Sequence, residues 1–403
     1  MLIMDFQQKK IKEKIFEIYA SINEHKSENI GLLNGESGVS LFHFYYGLFS
    51  QNEEYSKKGI QSIFNSVELI NTNLEHYSYC SGLSGFLWSL NHLVTSGFID
   101  QDEVADLQND FDTFIYKVML NDIKHENFDF LHGAIGHGIY FIERLKHNKD
   151  IELYLNELLD GLENKSIKEI DGSMKWLSVV DHQTGLQAYN LSLSHGVASI
   201  IAFLAKLVKH NFNTEKAYSM LQNSLQFLLK NIKDPCLDGY YFPSFIYKDN
   251  THPKQGRLAW CYNDLGIANV LFWVSEIIKD EDLKQKSIEI LLYHSNTRNL
   301  KMASVFDAGL CHGTAGIAHI YNRMYRNTRI EKFKETHDFW IEETLKMAYH
   351  KDGFAGYKTW NDEKLGGWEN ELGILEGIAG IALALLSSIF DEDLSWDECL
   401  LLS

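Results

Sequence analysis

The sequence predicts an all-α protein, an α/α toroid of seven inner and seven outer helices carrying small β-hairpin and loop insertions. A Gly-x-x-Gly pattern returns at Gly35/Gly38, Gly82/Gly85, Gly133/Gly136, Gly313/Gly316 and Gly377/Gly380, with imperfect copies at Gly196/Ser199 and Asn263/Gly266. Their first positions are spaced by 47, 51, 63, 67, 50 and 64 residues, which makes seven copies. Each copy opens a segment that is apolar on most faces, as a buried helix is, and amphipathic helices charged on one face lie between the copies. An open solenoid would alternate in the same way, but it needs no uniformly apolar inner helix.

Taken in order, the outer helices are expected over residues 5–24, 53–71, 102–120, 151–164, 214–233, 281–295 and 331–351. Caps and acidic first turns support several starts, among them Asn213-Thr214-Glu215 and Asp280-Glu281-Asp282. The inner helices begin at the repeats; Phe86, Leu87, Leu90 and Leu93 show the spacing, as do Ile200, Ile201, Leu204 and Leu207. Glycines at their mouths let another backbone or a ligand come close. Two intervals break the rhythm. Residues 166–194 hold two strand-like runs, 175–180 and 186–190, around Asp181-His182-Gln183-Thr184-Gly185, which reads as a β-hairpin. Residues 234–258 hold all three prolines and the aromatic run Tyr240-Tyr241-Phe242. Long loops of this kind commonly carry binding determinants. The expected organisation is one toroidal domain over residues 1–403.

Composition bounds the function. At 45% hydrophobic and 23% charged the chain is ordinary globular material. With 37 basic against 55 acidic residues its formal charge is -18, which argues against nucleic acid and anionic membrane as partners. Five cysteines at long spacings do not form a disulfide framework. Residues 1–14 are amphipathic and charged, without a secretory apolar core, and the longest apolar run, 374–390, is interrupted by Glu376. A cytoplasmic protein without a membrane span is expected, one whose thiols stay reduced and free to bind metal.

Chemistry concentrates at the mouths of the inner helices. Gly309-Leu310-Cys311-His312-Gly313 sets a thiol beside an imidazole, and Trp260-Cys261-Tyr262-Asn263 sets a second thiol in the same register of the preceding repeat. Thiolate and imidazole are the ligands that suit zinc, and three of them leave one tetrahedral position open, as in a catalytic site. Free cysteines are also small buried hydrophobes, and from the residues alone the two readings stand level. His195, like His132, Tyr262 and His312, directly precedes its repeat position. It reads as a general acid or base at the same mouth, against a cap or a fourth ligand. Asp129, four residues before Gly133, either pairs with a histidine or caps its helix. Arg257, four before Cys261, either stabilises developing negative charge or faces solvent. His137 and His319 lie within apolar helices and read as core residues, Cys80 as a buried thiol, and Cys236 and Cys399 as structural or incidental. No phosphate-binding loop, nucleophile elbow or H-E-x-x-H helix is present.

The seven repeats, with S-H-G at Ser194–Gly196, W-C-Y-N at Trp260–Asn263 and C-H-G at Cys311–Gly313, resemble the lanthionine synthetase C-like family, and within it the stand-alone bacterial lanthipeptide cyclases. The likeness runs over essentially the whole chain. It implies a seven-fold toroid with Zn2+ on Cys261, Cys311 and His312, an acid/base role for His195 and one for Asp129, and site roles for Arg257 and Tyr262. It implies a cyclase adding cysteine thiols of a dehydrated precursor peptide to dehydroalanine or dehydrobutyrine, a thia-Michael addition giving lanthionine or methyllanthionine rings. A lanthipeptide dehydratase and an export transporter are the partners it brings in, with the cytoplasmic enzyme held peripherally at a membrane-bound modification and export complex. The chain departs from the pattern at Asn263, where the family usually has glycine, and at Ser199, in place of the fourth repeat's second glycine. Both departures bear on how closely backbone and peptide approach, and leave every ligand and acid/base group in place. Two other uses of the same site stay open: addition of glutathione to dehydrated peptides, and a non-catalytic peptide-binding scaffold with a structural zinc. A zinc-activated prenyltransferase would need basic residues for a lipid diphosphate, and the mouths offer little beyond Arg257.

Overall fold

A computed structural model describes residues 2–181, 183–361 and 366–403. The chain opens with α1 (Leu2–Glu24), and pairs of one inner and one outer helix follow. These are α2 (Glu36–Ser50) with α3 (Glu53–Asn73), α4 (Leu83–Thr95) with α5 (Gln101–Lys124), α6 (Ala134–Arg144) with α7 (Ile151–Lys165), and α8 (Val197–Lys209) with α9 (Thr214–Lys230). After a single turn, α10 (Pro235–Asp238), come α11 (Asp264–Ile278) with α12 (Glu281–His294). A second single turn, α13 (Leu300–Ala303), leads to α14 (Thr314–Thr328) with α15 (Glu331–Lys346) and a last inner helix, α16 (Ile378–Ile389), whose outer partner is α1.

Each inner helix packs on the next: α2 on α4, then α6, α8, α11, α14 and α16, and α16 back on α2. That last contact closes the ring and excludes the open solenoid. The burial patterns follow from the two positions. All eleven residues from Val197 to Leu207 of α8 are buried, because an inner helix has neighbours on every side. The outer helix α7 buries only Ile151, Tyr154, Leu155, Leu158, Leu159 and Leu162, the stripe that the helical period lays on one face. The second repeat glycine explains itself at α14 and α16. A Cβ on Gly316 would lie 1.9 Å from the carbonyl oxygen of Leu310, and one on Gly380 1.8 Å from that of Ile374. The chain turns back on itself there too tightly for any side chain.

The turns that open the inner helices are stitched into a ring of their own. Leu33 N–H donates to Cys80 O and Cys80 N–H to Leu131 O, at 2.9 Å each. Leu193 donates to Cys261, Trp260 and Cys261 to Cys311, Leu310 and Cys311 to Leu375, and Leu375 to Leu33. These are the residues two before each repeat position and their immediate neighbours. The remaining step, from third loop to fourth, is spanned by side chains described below.

The far end of the ring is filled by residues 395–402, which follow α16. Tyr45 bonds Ser395, Trp260 Nε1 donates to Leu400 O, Trp273 Nε1 to Leu401 O and Asn269 to Leu402 O. Asp397, fully buried, takes both His319 and Arg323. Most of these partners sit well along their helices, away from the mouths.

The first insertion forms two small hairpins, β1 (Ile167–Lys168) with β2 (Met174–Lys175) and β3 (Ser178–Asp181) with β4 (Leu186–Asn190). Its expected first strand is therefore divided: Lys175 belongs to β2, and β3 starts at Ser178. His182, at the expected turn, lies outside the described residues. The second insertion supplies β5 (Phe245–Ile246), which pairs with β4, so the two insertions form one sheet rather than separate loops. A third irregular stretch, 347–372, was hidden in the 64-residue spacing before Gly377; it carries β6 (Thr359–Trp360) paired with β7 (Trp368–Glu369). The last outer helix ends at Lys346 rather than at 351 for that reason. Among the described residues no helix is long and apolar enough to cross a membrane.

Candidate metal centre

The backbone bonds from Trp260 and Cys261 to Cys311 place the fifth and sixth mouths side by side, at 3.0 and 3.3 Å. Ligand atoms of Cys261, Cys311 and His312 consequently lie within 4.8 Å of one another, the one such His/Cys/Asp/Glu group among the described residues. Both thiols are buried and His312 is half-buried. Cys261 is held well below the ordinary thiol range, first by the hydrogen bond it takes from Cys311, then by His312 and Arg257. The pair thus gives up one proton readily, and Cys311, bonded to that sulfur and buried, keeps the second. Burial works against charge on His312, but Asp307 and Cys261 outweigh it and hold the imidazolium up to about 10. One thiol of the pair is thus held toward its thiolate, and with His312 deprotonated two sulfurs and an imidazole nitrogen form a donor set that fits zinc.

His195 stands at the fourth mouth, which Leu193 and Ser194 bond to Cys261 of the fifth. Its Nδ1 meets Oδ2 of Asp129 at 2.6 Å, the side-chain link that spans the third and fourth loops. The other oxygen, Oδ1, accepts the His132 N–H at 2.8 Å, so Asp129 is both partner and cap. Burial disfavours both charges, yet each sustains the other: His195 stands above its ordinary value and Asp129 below. The rings of His132 and Tyr262 flank His195, with centroids at 6.4 and 5.9 Å. Burial pushes the Tyr262 hydroxyl up to about 12, so it stays protonated. Arg257 is half-buried; the hydrogen bond it makes among the described residues is through its backbone N–H, to Asn263, and not its guanidinium. Its charge falls on Cys261.

A family model described as "Lanthionine synthetase C-like protein" matches residues 26–401. The chain belongs to that family. Nisin biosynthesis protein NisC of Lactococcus lactis subsp. lactis is 23% identical over 98% of this chain and 96% of its own length. A solved structure of nisin cyclase superposes with a TM-score of 0.75 at 20% identity, covering 98% of each chain, and shares the toroid. The two chains share this architecture over nearly their whole length.

The family's usual glycine after W-C-Y is Asn263 here, at φ 62° and ψ −142°. Asparagine tolerates a positive φ better than most residues. Its side chain offsets the strain: Oδ1 accepts the Arg257 N–H at 3.1 Å and Nδ2 donates to Phe242 O at 2.9 Å. Ser199 bonds Gly196 O at 2.7 Å and is fully buried. His137 bonds Ser84 and Asp122, and His319 bonds Asp397, as core histidines do. Cys80 and Cys399 are buried and Cys236 is exposed.

Two residues near the Cys261/Cys311/His312 group were missed by sequence reasoning. Glu376 lies 3.9 Å from His312 Nδ1 and directly precedes Gly377, the register of His312 itself. Asp307 lies 3.5 Å from Nε2. Its signal was a quieter repeat: Asn29, Asn190 and Asp307 each stand six before a repeat glycine and accept the N–H two residues on.

Proposed function

We propose that this chain is a zinc-dependent lanthipeptide cyclase, closing thioether rings in a dehydrated precursor peptide by intramolecular thia-Michael addition. The observation that carries it is the adjacency of the Cys261/Cys311/His312 group and the His195–Asp129 pair, the fourth mouth being bonded to Cys261 through Leu193 and Ser194 and the His195 ring lying beside that of Tyr262. Zinc, when bound to those three residues, supplies the acidity that makes a peptide thiol a thiolate at neutral pH.

The chain's own groups do the rest. The thiolate sulfur attacks the β-carbon of a dehydroalanine or dehydrobutyrine; a carbon–sulfur bond forms, the carbon–carbon π bond breaks, and charge moves to the amide oxygen. Arg257, whose guanidinium has no partner among the described residues and whose charge acts on Cys261, is the group to meet that charge. With Nδ1 of His195 held by Asp129, Nε2 is the nitrogen that delivers the α-proton, and the proton lost by the thiol balances it. Tyr262, protonated and against the His195 ring, limits how that ring turns. The substrate is thus a precursor peptide; a dehydratase that makes its dehydro residues and an exporter that removes the product would work upstream and downstream.

The test is thiol alkylation and tandem mass spectrometry of a dehydrated precursor peptide incubated with the purified protein, with and without chelator. Zinc-dependent loss of peptide thiols without added mass is expected. Appearance of glutathione adducts when that thiol is supplied, with peptide thiols unconsumed, would replace this reading by the intermolecular one. Unconsumed thiols and no adduct would leave a scaffold.

A further inference from the structure

One buried carboxylate touches the metal-ligating set from behind. Asp307 is 3% exposed. Its Oδ1 accepts the Gly309 N–H at 3.0 Å and its Oδ2 the Trp360 N–H at 2.9 Å, so backbone donors hold both oxygens. A Cβ on Gly313 would fall 2.5 Å from Oδ1, so carboxylate and mouth turn are in direct contact. Oδ2 also stands 3.5 Å from Nε2 of His312.

An imidazole gives a metal one nitrogen, and the hydrogen bond made by the other decides which. Two carboxylates compete to make that bond. Glu376 Oε1 is 3.9 Å from Nδ1, and its side chain is 34% exposed at the mouth. Asp307 is nearer, buried, and fixed by two N–H groups.

We propose that Asp307 is a positioning residue: it takes the Nε2–H of His312 and so presents Nδ1 to the metal. The inference rests on the zinc reading above. It brings a second element into the centre. Trp360 belongs to β6, and the neighbouring Thr359 hydroxyl donates to Glu376 O at 2.6 Å. Strand β6 thereby braces the sixth and seventh mouths together, supporting a metal to which it contributes no ligand.

Two measurements decide it. In zinc-loaded protein with 15N-labelled histidine, NMR is expected to show His312 metal-bound at Nδ1 and protonated at Nε2; the opposite tautomer would overturn the proposal. Asp307→Asn puts an amide where the acceptor was. It is expected to weaken zinc binding about 10–100-fold in chelator competition, and to change the visible bands of the cobalt-loaded protein, with the far-UV spectrum of the helices kept. Zinc affinity and cobalt bands equal to those of the parent would reject the role. Should the variant not fold, the NMR result on the parent still decides. A parent protein that binds no zinc would instead remove the proposed function, and this inference with it.

Discussion

The carboxylate of Asp129 meets two donors at once, the His132 N–H and the His195 ring, and so fixes where a proton can be held at the mouth. Its negative charge raises His195, so the imidazolium persists above its ordinary pH range. Cyclisation that needs this proton is expected to hold at low pH and to fall as pH rises through the raised value. Asp129→Asn removes the partner, so the falling limb of kcat/KM should move to lower pH; a limb that stays put would remove Asp129 from the proton path. His195→Ala should keep bound zinc and slow ring closure by about 10²–10⁴, with unchanged ring patterns and rates counting against its role. Cys311→Ala should lose zinc, read by elemental analysis, together with ring formation. At this scale the nearness of Cys261, Cys311 and His312, with His195 one mouth away, was legible because each occupies a repeated register. Asp307 was not, since its meaning depends on a strand about 50 residues downstream that the chain alone does not bring near it.

Among elements, the inner helices could be read from glycines because the steric demand is local. At Gly380 a side chain would meet a carbonyl six residues back, whatever the rest of the fold did. Gly380→Ala is therefore expected to destabilise the ring by about 3 kcal/mol or more, measured by chemical denaturation. The insertions were only half legible. Strand β5 and strands β6 and β7 are two residues each, too short for a period, and they exist because distant partners complete them. Asn263 shows the cost and use of such long-range stitching. Asn263→Gly should relieve the positive φ while losing both bonds, to the Arg257 N–H and to Phe242. Stability near that of the parent with a raised KM for peptide is expected; an unchanged KM would show that Arg257 does not need the tether.

For the molecule as a whole, closure was inferable from the uniformly apolar inner helices, but the filling of the far end was not. Residues 395–402 look unremarkable until Asp397 is seen between His319 and Arg323. Burial alone would raise its carboxyl; Arg323 and then His319 outweigh that and hold it down to about 2. A lowered carboxyl contributes stability that is complete above the unfolded value of 3.8 and is lost as pH falls from there toward about 2. Asp397→Asn should flatten that acid limb of the melting curve and cost about 3 kcal/mol at neutral pH, since it leaves a buried guanidinium with only the exposed carboxylate of Asp393 for a partner.

That filled end makes the ring a cup and not a tunnel. A polymer passing through a tunnel must be threaded from one terminus, whereas a cup is served by a bend whose two arms both remain outside. On the proposed chemistry, thioether bridges far from either end of a long peptide are then as accessible as those near one. Peptides carrying a bulky folded domain at both termini should cyclise like the free peptide, as tandem mass spectrometry would record.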